Sequence, residues 1–366
     1  MGFNFEADCK LNSNIMLKFL KITVILAAVC AGQPNSCVAQ PANGDYRGAD
    51  KILVPGKGWP CGMTNGIPVP ERGAPVFEAT MKVDHVYNVG RTPYGLRTVN
   101  VIQAGTVTGE KLNGTVMSGS LDFELSFTNG ALEIEDVFVL KTADGKFIYM
   151  RCPGTAADRS DVRMAPDFEA PNGSGFDWLN SGKFAGRRVV DAGAGTIKLS
   201  VFDVSGIAVA SDPTNSIHVT KPADLPDQPW DYRRMEAGEK RGDQLITENV
   251  TLGASQSVGA TKNGARNIIP ITGGTLSGKI TGKVLAGGAD YQKLANPMTL
   301  DARYLWQTAE GDVIIVRNAG PIAALAPTFE APLDSKYAWL NKGTYLSSSP
   351  GMGAGGVRLD FYESSR

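Results

Sequence analysis

Hydrophobic and polar positions alternate over short stretches of this 366-residue chain. The clearest case is Thr299 to Thr308. Leu300, Ala302, Tyr304 and Trp306 fall on one face, and Asp301, Arg303, Leu305 and Gln307 on the other, which is the two-residue period of a strand. Ala309-Glu310-Gly311 follows as a hairpin turn, with the glycine free to take a positive φ. Val313 to Val316 is a continuous apolar run of strand length, Gly356 to Glu363 reads as a closing strand, and Thr196 to Val204 as its earlier counterpart. Long Ala/Leu/Glu/Lys stretches are missing, while Gly reaches 43 and Pro 21. Strands this dense, without helical segments between them, predict an antiparallel barrel or sandwich.

The same pattern occurs twice. Leu140 to Arg151 (L-K-T-A-D-G-K-F-I-Y-M-R) matches Trp306 to Arg317 (W-Q-T-A-E-G-D-V-I-I-V-R). Ala165 to Pro171 (A-P-D-F-E-A-P) matches Ala326 to Pro332, and Phe176 to Asn180 (F-D-W-L-N) matches Tyr337 to Asn341. The spacing is 166 between Gly145 and Gly311 and 161 between Trp178 and Trp339, so one loop is five residues shorter in the second copy. Convergent loop chemistry would not keep three motifs in the same order, so the chain is a tandem duplication. We expect a first copy over 75–210 and a second over 244–366, each of ordinary domain size. Between them, 211–243 is a linker in which Pro213, Pro222, Pro226 and Pro229 discourage helix and central strand. It is placed to lie across both copies, with Trp230 and Tyr232 as anchors.

The N-terminus carries a different signal. Lys18 and Lys21 precede an apolar run from Ile22 to Ala31, and Cys37-Val38-Ala39 offers a small-x-small cleavage site. This is the pattern of a secretory signal peptide, too short for a membrane span. We therefore expect 1–39 to be an upstream extension and signal peptide, with Met16 as the start, 40–74 to be an irregular leader, and the protein to be exported to the periplasm or secreted. The mature chain would keep Cys61 and Cys152, a disulfide candidate in an oxidising compartment. With 36 basic and 37 acidic residues there is no clustered charge for nucleic acid. Two histidines, His85 and His218, and no cysteine cluster leave no metal-ligand spacing, and we expect no metal and no cofactor. Oligomeric state stays open.

Copy two holds G-K-V-L-A-G-G-A-D-Y-Q (Gly282 to Gln292), L-D-A-R-Y (Leu300 to Tyr304), Phe329-Glu330 and Trp339-Leu340-Asn341. Together these resemble the family of domain of unknown function 3237, also called UPF0311, closely in copy two and more loosely in copy one. The resemblance implies two tandem, antiparallel, lipocalin-like β-barrels with central cavities, joined by the Pro-rich linker. It implies no settled reaction. Copy one departs from the pattern. It keeps Asp122, Glu169, Trp178 and Asn180, but has Glu124 for Gln292, and Glu135 and Val137 for Asp301 and Arg303.

No G-x-S-x-G elbow, phosphate loop or dinucleotide fingerprint is present, so acid–base work would fall to carboxylates, tyrosines and arginine. If Asp290, Asp301, Arg303 and Tyr304 share a barrel cavity, a desolvated Asp can act as base near neutral pH, Arg303 can clamp an anion and a tyrosine can donate a proton. Tyr291, Gln292, Glu330, Trp339 and Asn341 would then bind the substrate. The plainer alternative has Asp301 and Arg303 on the solvent face behind Tyr304 and Trp306, Asp290 as a turn former, Glu330 bonded to a loop backbone, Trp339 in the core and Asn341 as a cap. Two functions follow. One is an exported cofactor-independent lyase or isomerase acting on a small apolar, aromatic or phenolic molecule in the second barrel. The other is a periplasmic binding or carrier protein for a similar hydrophobic or aromatic ligand, without catalysis. Solidly packed barrels would make both copies structural.

Overall fold

The computed structural model describes residues 51–209, 213–353 and 355–365. The upstream extension, the signal-peptide pattern and the first part of the leader lie outside the described residues. Among the described residues no helix is long and apolar enough to cross a membrane.

The protein is nearly all β-strand. In the first copy eight antiparallel strands close into a barrel. Their order is Leu132–Thr142, Ser120–Ser126, Gly95–Thr108, Ala74–Thr92, Thr196–Asp203, Phe184–Asp191, Arg163–Met164 and Phe147–Ala156, the last pairing back onto the first. In the second copy an 11-stranded sheet curls around its own core. Its main path runs Thr328–Glu330, Val313–Pro321, Thr299–Thr308, Gly282–Val284, Gly264–Gly278, Lys240–Leu252, Gly356–Ser365 and Tyr345–Ser347. No ladder among the described residues closes this sheet. Ser347 bridges the gap instead, its N–H donating to the Leu325 carbonyl at 3.1 Å and its hydroxyl to Asn318 Oδ1 at 3.0 Å.

The alternation read from the sequence sets the two faces. On Thr299–Thr308 the face carrying Leu300, Tyr304 and Trp306 points inward. The turn expected at 309–311 forms, with Gly311 at φ 101° and its N–H bonded to the Thr308 carbonyl. The second core is aromatic. Trp306 lies 5.0 Å from Phe329 and 5.3 Å from Phe361 between ring centroids, and Phe329 lies 5.1 Å from Tyr345. Such edge and tilted contacts add to the area each ring buries.

The repeated motifs prove to be clasps. Asn180 bonds both backbone groups of Ala170 at 2.8 and 3.0 Å, and Asn341 does the same to Ala331 at 2.8 and 2.9 Å. Each W-L-N turn is thereby tied to its own F-E-A segment.

The outer faces of the two copies pack on each other. Val99, Val101, Leu121 and Phe123 meet Leu285, Leu305 and Val313, while Val137, Val139 and Tyr149 meet Val258, Ile268, Ala289 and Tyr291. Strands buried on both faces read as apolar runs. Polar exchanges flank these clusters and repeat with the duplication. Arg97 of copy one grips Glu330 of copy two at 2.9 and 3.0 Å, with Thr92 donating at 2.5 Å. Reciprocally, Arg266 of copy two grips Glu169 of copy one through two bonds, with Thr261 donating at 2.8 Å. The Leu333 N–H reaches the Arg91 carbonyl at 2.8 Å, and Asn172 reaches Ala260 at the same distance. Residue for residue this is an isologous contact, the geometry of a two-fold dimer within one chain.

Truncating Arg266 would leave Glu169 buried without its partner, which costs about 3–5 kcal/mol. Arg266→Ala should therefore lower stability by that order in chemical denaturation. Lys262→Ala, removing an exposed contact to Asp167, should change it by no more than about 0.5 kcal/mol.

Candidate functional site

The strand period divides the sequence-derived candidates between two places. Asp290, Gln292 and Tyr304 belong to the inward face of the second copy. Half-buried Asp290 accepts bonds from Gln292 Nε2 at 2.8 Å and the Asp301 N–H at 3.2 Å. Tyr304 donates to Glu248 at 2.7 Å, and Trp306 Nε1 donates to the other oxygen at 2.8 Å. Glu248 was missed by sequence reading, because one acid on a polar-looking strand carries no motif. Burial raises Asp290 to about 6 and Glu248 to about 7, even against the hydrogen bonds that favour their charged forms.

Asp301 and Arg303 face the other way. They were expected to share the barrel cavity if catalytic and to meet solvent if not, and neither holds. One position along from Tyr304, they point out of the second barrel, and the first copy buries them. Arg303 Nη1 meets Glu135 of copy one at 2.7 Å and its Nη2 meets Asp301 at 3.1 Å. Arg317 grips Asp301 at 2.8 and 2.9 Å, and Arg151 reaches Glu135 at 2.6 Å. Burial would raise both acids, but the guanidiniums outweigh it. They hold Asp301 well below the usual carboxylate range and bring Glu135 down to about 2. Tyr291 is likewise in the interface, its hydroxyl donating to the Gly119 carbonyl, and Glu330 is occupied by Arg97 and Thr92. Asn341 serves its clasp. Trp339, 37% exposed, lies edge-on to Tyr345.

Beside this charged seam opens a cleft of about 410 Å³. Copy one contributes Tyr94, Arg97, Phe123 and Glu135; copy two contributes Arg303, Ile315, Arg317, Thr328 and Glu330; the linker lies over it with Gln228, Pro229, Asp231, Tyr232 and Arg233. Gln228 is fixed between Arg97 at 3.1 Å and Glu133 at 2.9 Å. Arg233 donates to the Tyr345 carbonyl at 2.7 Å. Trp230 packs 4.8 Å from Trp59 and under the Arg151 guanidinium at 4.3 Å, and Tyr232 lies under Arg317. The linker therefore touches both copies through the two aromatics singled out in the sequence. Nη1 of Arg97 and Nη1 of Arg317 donate to nothing among the described residues. The cleft thus combines apolar and aromatic walls with unfilled donors.

Copy one, expected to be the reduced copy, holds the denser buried polar cluster. Asn100, Asp122, Asp136 and Cys152 stand directly opposite one another on four adjacent strands. Arg188 grips Asp122 at 2.7 and 2.9 Å and reaches Glu124 at 3.2 Å. Neither Asp136 oxygen accepts a hydrogen bond among the described residues. Burial and the neighbouring Asp122 charge push Asp136 well above the usual carboxylate range, which favours its neutral form. At the corresponding positions copy two has Ala302 and Ser349, so the comparison of repeats could have found Asp136 and Arg188 but not their meeting. The disulfide candidates Cys61 and Cys152 are free buried thiols, Cys152 in the first barrel's interior core and Cys61 packed with Trp59 and Ile67. Among the described residues no group of three or more metal-ligating side chains is arranged around a common point.

The sequence model of the protein family of unknown function DUF3237 matches residues 72–204 and 243–326, in both copies. The chain belongs to that family. A UPF0311 protein of Bradyrhizobium diazoefficiens is 32% identical over 129 residues, covering 29% of this chain and 84% of that protein. One from Rhodopseudomonas palustris is 41% identical over 80 residues, covering 21% of this chain and 52% of that one. A solved protein of unknown function from the same species aligns at 24% identity and TM-score 0.33 over 36% of this chain and 95% of its own. A β-barrel-like protein from Acinetobacter baumannii aligns at 19% and 0.33, over 36% and 94%. In this DUF3237 chain the duplication brings together residues from two copies of the family's fold.

The buried acids give a pH signature. Glu248, raised from an ordinary 4.5 to about 7, binds its proton more tightly folded than unfolded. Its stabilising contribution is complete below about 4.5 and is lost as pH rises through about 7, on the order of 3 kcal/mol. Asp290 acts in the same direction up to about 6. Asp301 and Glu135 act oppositely, losing their contribution as pH falls below the usual carboxylate range. Denaturation midpoints should fall between pH 5 and pH 8, and Glu248→Gln should flatten that slope, since its amide can donate to Tyr304 and accept from Trp306.

Proposed function

We propose that this protein binds a small molecule in the cleft between its two copies. The carrying observation is the cleft itself, about 410 Å³ of space edged by Arg97, Arg303 and Arg317 and walled by Tyr94, Phe123, Ile315 and Tyr232. A largely apolar concavity with a few fixed polar groups is the usual form of a ligand site. The unfilled Nη1 groups of Arg97 and Arg317 suit a ligand carrying a hydrogen-bond acceptor oxygen. Their guanidiniums are already braced by Glu330, Gln228 and Asp301, so little side-chain entropy is lost on binding.

Proton-transfer chemistry inside the second copy has less support. Trp306, Phe329, Phe361 and Tyr345 fill that core, and Asp301 and Arg303, required there as base and clamp, lie on the opposite face. Binding without catalysis is therefore the reading we adopt. Export remains part of the proposal, on the basic, apolar and small-residue pattern of 16–39. Protein recovered from its own cell should begin just after Ala39, whereas an N-terminus at Met1 or Met16 counts against export.

Thr328 lies on the cleft wall. In ligand-observed NMR against a fragment set, Thr328→Trp should abolish or weaken at least tenfold the hits that bind wild-type protein. Hits that bind the Trp variant equally well would mean that the ligand sits elsewhere.

A further inference from the structure

The duplication places a second, equivalent position at the opposite end of the interface, and there the space is filled. The ionic frame is the same. Arg266 stands for Arg97, Glu169 for Glu330 and Thr261 for Thr92, and Tyr149 pairs with Glu169 across the strands as Ile315 pairs with Glu330. The difference is in the rings. At the filled end the phenol of Tyr149 lies 4.5 Å beneath the Arg266 guanidinium and 5.5 Å from the ring of Tyr291. At the cleft end the corresponding residues are Ile315 and Phe123. Among the described residues no ring lies over the Arg97 guanidinium, whereas Arg266 has that of Tyr149.

From this we propose that the ligand of the cleft is a single-ring aromatic, phenol-like molecule that takes the place Tyr149 occupies at the mate position. The inference rests on the cleft reading and deepens it. Its ring lies against the Arg97 guanidinium, with Phe123 where Tyr291 packs on Tyr149, and its oxygen meets a free guanidinium N–H. Cation–π attraction is strongest where water is excluded, and Arg97 is 5% exposed. Ile315 is then the residue that decides whether an end of the interface is a site or a plug, because its side chain stops where the tyrosyl ring would begin. Gln228, Pro229, Asp231, Tyr232 and Arg233 of the linker line this end, so the duplication yields one site per chain and not two.

The test uses the full chain with 4-methylphenol, the tyrosine side chain as a free molecule, and 4-methylcyclohexanol, its non-aromatic counterpart of similar size. Calorimetry or ligand-observed NMR should give one 4-methylphenol per chain, with 4-methylcyclohexanol at least tenfold weaker. Ile315→Tyr should copy the plug and weaken 4-methylphenol at least tenfold, and Tyr149→Ile should raise the stoichiometry toward two. Equal affinity for both compounds, both lost in Thr328→Trp, would overturn the aromatic inference and leave the cleft reading standing. Binding of 4-methylphenol that neither Ile315→Tyr nor Thr328→Trp affects would overturn both, as would no binding of either compound. Should Ile315→Tyr fail to fold, the comparison of the two compounds on wild-type protein decides.

Discussion

The reciprocal grip of Arg97 on Glu330 and Arg266 on Glu169 fixes how the two copies face each other, and the rest of the architecture follows from it. Each pair is largely buried, and each acid takes a threonine hydroxyl besides its arginine. Buried ion pairs contribute little net stability compared with apolar packing, but breaking one is costly. They are therefore better suited to setting register than to adding strength. Between these two clamps the outer faces of both sheets exclude water over Val, Leu and Tyr side chains, and the carboxylates of Glu135 and Asp301 are held among the guanidiniums of Arg151, Arg303 and Arg317. A single barrel would expose all of these groups to solvent.

Strand alternation in the sequence was enough to say which residues share a face. It placed Leu300, Tyr304 and Trp306 together and Asp301 with Arg303, and the turn at Gly311 formed as its glycine required. The duplication was equally legible, because three motifs kept their order. What alternation cannot say is which face is wet. Asp301 and Arg303 lie on the face that a lone barrel would present to water, and only the first copy's docking makes it an interior. That contact depends on Arg97 and Arg266, which lie outside the repeated motifs, and on Tyr149, whose place in the repeat is taken by Ile315 in the second copy.

The candidate site was legible in part for the same reason. Arg303 and Glu330 were selected and do bear on the cleft, though not as a catalytic pair in a barrel cavity. Asn341 and Trp339 were selected because their motif repeats, and Asn341 repeats because it clasps the chain. Recurrence of a motif reported on local folding more than on chemistry. The buried cluster of Asp122, Asp136 and Arg188 needed three strands to meet inside the first barrel, which no linear spacing discloses.

The central claim is that the space between the copies, not the interior of either, receives the ligand. A crystal structure of the full chain grown with 4-methylphenol tests it most directly. The account predicts density for one ring beside Arg97, between Phe123 and Ile315. Density instead inside the second copy next to Asp290, with the cleft holding only water, would contradict it.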